Sequence, residues 1–268
     1  MSAFVEEDRP GLMRSLAIQR RVVHALIMRE VLTRYGRHNI GFLWLFIEPM
    51  IFTLAVTALW TATKAVHGSD LPIVAFAVTG YSSVLLWRNM PTRTIGAVST
   101  NLALLYHRNV QAIDIYLARL FLEIIGATTS FVFLTGFFYA IGWLELPEDV
   151  LQVIGGWLML AWFGVGLALL FGAWSEFSEI IEKLWHPTSY ILFPLSGAAF
   201  LVDVLPQNAR DAILYLPMIH GTEFLREGFF GSRINAHYDM SYLALWNLGL
   251  TVCGLILVRR VSHTVVPE

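Results

Sequence analysis

Long apolar runs alternate with short polar turns along this chain, and the runs have the length of membrane crossings. Six of them fall near 40–62, 71–87, 115–143, 150–174, 187–205 and 242–258; a helix needs roughly twenty residues to cross a ~30 Å hydrocarbon core. The second and fifth are the shortest, and Pro187, Pro194 and Gly197 interrupt the fifth. The pattern predicts an all-α polytopic membrane protein with six transmembrane helices.

Polar punctuation divides the rest. Residues 1–10 are acidic and irregular, closed by Pro10-Gly11. From there to Arg37, Leu16, Val23, Ile27 and Val31 recur at helical spacing, with Arg14, Arg20, Arg21 and Arg29 elsewhere on the wheel. This predicts an amphipathic interfacial helix in the headgroup plane. The domains are therefore a cytoplasmic N-terminus over 1–38 and a six-span membrane domain over 39–268. Between the fifth and sixth runs, at 206–241, the apolar patches 212–219 and Phe229-Phe230 are broken by His220, Glu223, Arg226 and Glu227. Such patches are too short to cross, and predict re-entrant or surface helices on the periplasmic side.

Composition agrees with a membrane setting. The chain of 268 residues is 56% hydrophobic and 14% charged, where soluble domains carry roughly a quarter charged residues. Its nine Trp, nine Tyr and eighteen Phe suit aromatic belts at two interfaces. One cysteine, Cys253, leaves no intrachain disulfide. The arginine-rich N-terminus has no small-residue cleavage site, so no signal peptide is expected and the first span directs insertion. Of the 18 Lys and Arg, all but Lys64, Arg210, Arg226 and Arg233 fall on one side if both termini are cytoplasmic. That is the positive-inside distribution.

Candidate chemistry is sparse. No phosphate-binding loop exists, because Lys64 is followed by Ala65 and Lys183 by Leu184, whereas that loop needs Gly-Lys-Ser/Thr. Any ATP and Mg chemistry must reside on another subunit, and no cofactor is expected in this chain. Glu48-Pro49 lies about 12 Å into the first span at 1.5 Å per residue. It predicts either a hinge beside a water-filled path or a structural pair with an arginine such as Arg88 or Arg93. Glu123 has Arg119 four residues earlier, which predicts a local ion pair. Trp44, Trp60, Trp87, Trp143 and Trp174 fall near span ends as belt anchors. Tyr81 and Trp162 lie deeper, where aromatic faces can pack against sugar rings. His220 and Glu223 share a face, but no second His or Cys accompanies them, so a hydrogen-bonded outer helix with Arg226 is expected and no metal site. The stretch 88–114, with Arg93, Asn101, Arg108 and Asp114, is either a solvated loop or a docking surface.

Two blocks carry a family resemblance. One is Arg29-Glu30, Arg34-Tyr35-Gly36-Arg37, Gly41, Trp44 and Glu48-Pro49; the other runs from Arg93-Thr94-Ile95-Gly96-Ala97 through Asn101, Arg108 and Asp114 to Ala118-Arg119 and Glu123. With weaker agreement at Pro194, Pro217, His220, Glu223 and Arg226, the chain resembles the membrane subunit of type-2 ABC exporters, specifically the capsular polysaccharide permeases. The resemblance implies an inner-membrane homodimer above a separate ATP-binding subunit dimer, with a coupling helix within about 100–114 that uses Asn101, Arg108 and Asp114. It also implies a lipid-linked capsular glycan passed to periplasmic and outer-membrane export proteins, and no nucleic-acid partner. Asn109-Val110-Gln111-Ala112-Ile113-Asp114 lacks the prolines and lysine often found there, and Leu216 replaces the usual Asn before Pro217. For an anionic glycan the expected path includes Arg34, Arg37, Arg88 and Arg93 at the inner mouth, with Trp44, Glu48, Tyr81 and Trp162. An O-antigen or teichoic-acid permease is the nearest rival, and a drug or lipid exporter a more distant one. A membrane enzyme lacks any supporting catalytic set.

Overall fold

The computed structural model describes residues 12–35, 43–63, 71–106 and 110–264, and all regular structure among them is helical. Among the described residues, four helices are long and apolar enough to cross a membrane: α2 (Trp44–Thr63), α5 (Ala112–Ala140), α6 (Val150–Ser175) and α10 (Met240–Thr264). Their outward faces carry exposed Leu158, Val132, Leu245 and Leu248. Such surfaces fit lipid and would be an aggregation liability in water.

The centre of the molecule is α3 (Ile73–Thr94), packed on α2, α5 and α6. Phe76, Val84, Leu86, Trp87 and Met90 are fully buried there. Hydropathy places the end of this run at Trp87, but the helix continues to Thr94 through Arg88, Asn89 and Arg93. Polar side chains lower hydropathy without breaking backbone hydrogen bonds, so the run looked shorter than the helix is. α6 meets α3, α10 and the later helix at Pro217–Phe230 through small residues, among them Gly156, Gly164, Gly172 and Ala168, which let backbones approach where lipid offers no hydrophobic drive. Asp149 caps its start by accepting from the Gln152 amide at 2.9 Å.

The N-terminal helix α1 (Leu12–Tyr35) is present, and it packs along α5. Val23, Leu26 and Val31 are buried, whereas Leu16 is exposed, so the buried stripe is narrower than the spacing suggested. Pro49 lies inside α2 and removes the N–H that would pair with the Leu45 carbonyl. A side chain at Gly126 of α5 would come within 2.8 Å of that same oxygen, so glycine there admits the close approach of α2.

The expected fifth span is a broken element. α7 (Glu179–Leu192) starts before the predicted run, contains Pro187, and ends ahead of a 3-10 turn at Pro194–Ser196. Irregular backbone follows to a second 3-10 turn at Val202–Val204. The segment before α10 folds into the short helices α8 (Gln207–Ile213) and α9 (Pro217–Phe230). α9 is largely buried against α6, α10 and α3. Between α3 and α5, a 3-10 turn at Ser99–Asn101 leads into α4 (Leu102–Leu105), and Gln111 with Asp114 forms a capping box that starts α5.

Candidate functional site

Among the described residues, the end of α1, the start of α2, the end of α3 and the first half of α5 converge on three carboxylates and three guanidiniums. Arg34 pairs with Glu30 at 3.1 Å, one turn back on α1, and donates to Glu123 on α5. Arg93 of α3 donates through one nitrogen to both oxygens of Glu48, at 2.9 and 3.0 Å, and lies 3.4 Å from Glu123. Arg119 lies 3.1 Å from Glu30 and donates to the Arg93 carbonyl at 2.8 Å. Glu123 therefore takes Arg34 and Arg93 as partners, in place of the local pair with Arg119 that its spacing suggested. Two candidate pairs at helical i,i+4 spacing, Glu30–Arg34 and Arg119–Glu123, are cross-linked between helices. Removing charges from water is costly, and mutual pairing with formal neutrality is what makes such a group tolerable. The Glu123 side chain is 10% exposed and that of Glu48 54%, so the Arg93–Glu48 contact is the open edge.

A second set of bonds ties α1 to the segment between α3 and α5. Arg29 donates to the Asn101 side chain at 2.6 Å, and Gln19 to Asp114 at 3.1 Å. Glu176, just past α6, accepts from the Val98 and Ser99 amides at 2.8 and 3.0 Å. The Gly96 amide donates to Ser175 at 3.0 Å. The loop is thus held by α1 on one side and by the end of α6 on the other. Arg37, Arg108 and Lys64 lie outside the described residues.

Aromatic side chains collect where α2, α3 and the end of α7 meet. Tyr81 lies 5.3 Å from Trp60, 5.9 Å from Phe52 and 5.6 Å from Phe193, ring centre to ring centre. Trp60 stacks on Phe76 at 6.0 Å. Arg88 stands beside this group, its guanidinium over the rings of Tyr190 and Phe193. Trp162 does not join it; its indole N–H donates to Thr251 of α10 at 3.0 Å. Trp44 opens α2 with half of its surface exposed. Of the expected path residues, the structure gathers Arg34, Glu48 and Arg93 in one cluster and Tyr81 with Arg88 beside another, and sends Trp162 elsewhere. Sequence reading did not assign site roles to Glu30, Arg119 and Glu123, although their i,i+4 spacing was a visible signal. Phe52, Tyr190 and Phe193 carried no signal beyond being aromatic, and Trp60, expected as a belt anchor, packs against Phe76 and Tyr81.

On α9, Arg226 is fully buried and donates to the carbonyls of Gly197, Ala198 and Phe200, with its guanidinium 3.9 Å from the Phe76 ring centre. It satisfies the irregular backbone that follows α7, as buried non-helical backbone requires. Glu223 accepts from the amides of Val202 and His237 at 3.4 and 3.2 Å; burial pushes its carboxyl up and Arg226 opposes that. His220 is bonded through both nitrogens, to the Leu214 carbonyl at 2.9 Å and from the Asp239 amide at 2.8 Å. Burial holds its ring below the ordinary value, offset by the Leu214 bond and the nearby Asp239. His220 and Glu223 each serve separate backbone partners, so they do not face a common ligand.

Long apolar helices with exposed outward faces, an ion-paired junction between helices and a backbone break late in the chain define a polytopic membrane protein with a polar cluster among its helices. The match to the ABC-2 type transporter family spans residues 21–230, and the chain belongs to that family. It is 45% identical to the capsule polysaccharide export inner-membrane protein CtrC of Neisseria meningitidis serogroup B, over 95% of this chain and 96% of that protein. It is 41% identical to BexB of Haemophilus influenzae, a capsule polysaccharide export inner-membrane protein, over 97% of this chain and 98% of that protein. The polysialic acid transport protein KpsM of Escherichia coli is 26% identical over 90% of this chain and 94% of its own length.

Proposed function

We propose that this chain is the permease subunit of an inner-membrane ABC exporter that moves lipid-linked, anionic capsular polysaccharide from the cytoplasm to the periplasm. The observation that carries the reading is the near full-length identity, 45% and 41%, with two capsule polysaccharide export proteins. Two copies act together above a dimer of ATP-binding subunits, which supply the ATP and Mg chemistry. Both termini lie in the cytoplasm. Six crossings are made by α2, α3, α5, α6, the broken α7 segment and α10, with α8 and α9 on the periplasmic side, where export proteins receive the polymer.

The bonding pattern supports a route for the work. A pull on the segment that holds Asn101 and on the first turn of α5 at Asp114 reaches α1 through Arg29 and Gln19. α1 carries Glu30 and Arg34, so its movement re-sorts the ion pairs that join α2, α3 and α5. Because carboxylates and guanidiniums are balanced, partners can be exchanged without stranding a charge, which favours two discrete arrangements over gradual deformation.

Deleting the gene in its host and locating the glycan chemically and by microscopy tests the reading. Finished, lipid-terminated capsule accumulating inside the cell, rescued by the intact chain with its ATPase, is the expected result. Undiminished surface capsule, with loss of O-antigen export or of drug efflux instead, would overturn the substrate.

A further inference from the structure

The other arginines with described side chains at the core of this fold have counter-groups. Arg34, Arg93 and Arg119 pair with carboxylates, Arg29 with Asn101, and Arg226 with backbone carbonyls. Arg88 is different. Among the described residues no carboxylate lies within ion-pair reach of it and no acceptor within hydrogen-bond reach of its guanidinium; its Nε is buried and without a partner. What surrounds it is aromatic: the Tyr190 ring centre is 5.1 Å and the Phe193 ring centre 5.4 Å from the guanidinium carbon. A cation over ring faces is attracted by their quadrupole, but its donors stay unused.

Position makes those unused donors relevant. Arg88 lies five residues along α3 from Arg93, roughly 7.5 Å deeper than the ion-pair cluster at helical rise. Tyr190 is 68% exposed and Phe52 is also open, so the group faces outward from the fold. From Phe193 the rings continue through Phe52, Tyr81 and Trp60 to Phe76. A flat apolar face beside an unpaired planar cation is complementary to an acidic sugar, whose C–H face lies on a ring while its charged oxygens meet the guanidinium fork.

We propose that Arg88, walled by Tyr190 and Phe193, is an anion subsite that reads the carboxylate or phosphate groups of the exported glycan just beyond the inner ion-pair cluster. This rests on the reading of the chain as a permease for an anionic glycan. Cation and wall act together: lysine keeps the charge but loses the fork, and glutamine loses both.

The test uses the full chain with its ATPase in lipid nanodiscs, reading ATP hydrolysis against added probe. The probes are the host's purified capsular polysaccharide freed of its lipid end by mild acid, and the separated lipid-phosphate end. In the wild type the half-stimulating concentration of the polymer is the reference. Arg88→Gln should raise it at least tenfold, with Arg88→Lys between the two. If the shift appears only with the lipid-phosphate end, the subsite stands and its anion is the anchor phosphate. A response of Arg88→Gln identical to wild type for both probes overturns the proposal. Should Arg88→Gln fail to assemble, Tyr190→Ala, at an exposed ring, should give a smaller rise, and no rise overturns the proposal equally. Failure of the functional reading itself is separate, since deletion of the gene would then leave surface capsule undiminished.

Discussion

Arg34, in the last turn of α1, donates to the Glu123 carboxylate on α5, joining residues 89 positions apart in the chain. This bond closes the N-terminal helix onto the membrane domain and sets the junction that Arg93 and Glu48 complete. Leu45, Val31 and Leu122 form a small apolar cluster of their own with Ile27 and Phe46. The polar contact is therefore backed by packing that resists separation of the helices.

Removing one partner of this pair should be harsher than removing both. Arg34→Ala leaves the cluster one cation short, with Glu123 held by Arg93 alone, and Glu123→Ala leaves it one carboxylate short, with Arg34 held by Glu30; the loss stays below the about 3–5 kcal/mol of a buried pair whose survivor has no other partner. The double variant should lose clearly less than the sum. Thermal unfolding of the purified chain in detergent measures the cycle, and strictly additive losses would show that the two side chains act independently.

Arg29→Ala should uncouple rather than unfold. Its bond to Asn101 ties α1 to the loop between α3 and α5, and coupling energies of this kind are about 1–3 kcal/mol. Surface capsule should fall while the permease still co-purifies with its ATPase and the complex still hydrolyses ATP. Asn101→Ala should have the same phenotype, and normal export by both variants would exclude this route.

Gly80→Ala should distort the first half of α3. A methyl there would come within 2.5 Å of both the Ala198 carbonyl oxygen and an Arg226 nitrogen. Those two groups bond each other, so neither moves without breaking a buried contact. A loss of about 1–3 kcal/mol follows from overpacking. Arg226→Gln should destabilise the same region by leaving carbonyls of the broken segment without donors. Hydrogen exchange across 194–205 reads both variants.

His220 should make the fold acid-sensitive. Its folded-state pKa is held below the ordinary value of 6.5 by burial. The stability it contributes is present above that value and is lost as pH falls through the lowered one, because the unfolded chain takes up the proton first. Protonation at Nδ1 would also set an N–H against the Asp239 amide that now donates to it. Glu223 works in the opposite sense, since its pKa is raised and acid favours its buried neutral form. Comparison with His220→Gln isolates the histidine: between pH 7.5 and 5.5 the variant should lose less melting temperature than the wild type.

Much of the architecture was legible because hydropathy reports burial in lipid directly. The run at 150–174 became α6 over Val150–Ser175, with Asp149 as its cap, and the apolar patches after the fifth run became short helices. Reading failed where polarity and backbone geometry part company. Arg88 and Arg93 ended the second run on a hydropathy scale, yet α3 passes through both, since a side chain's charge does not weaken its backbone hydrogen bonds. Pro187 and Pro194 announced a break in the fifth run, but the donor that makes the broken backbone tolerable, Arg226, lies on a different element.

By itself, then, the order of residues determined the helices, their apolar faces, the absence of an ATP-binding loop and the family resemblance, because each depends on local spacing or composition. Only the tertiary structure decided which charges meet. Glu30, Arg34, Arg119 and Glu123 are spaced for two local pairs, and the packing of α1 against α5 keeps Glu30 with Arg34 but joins Glu30 to Arg119 and Arg34 to Glu123 in place of the local Arg119–Glu123 pair. Ion pairing at long range depends on which helices are neighbours and at what height, and that information appears only when the helices are packed.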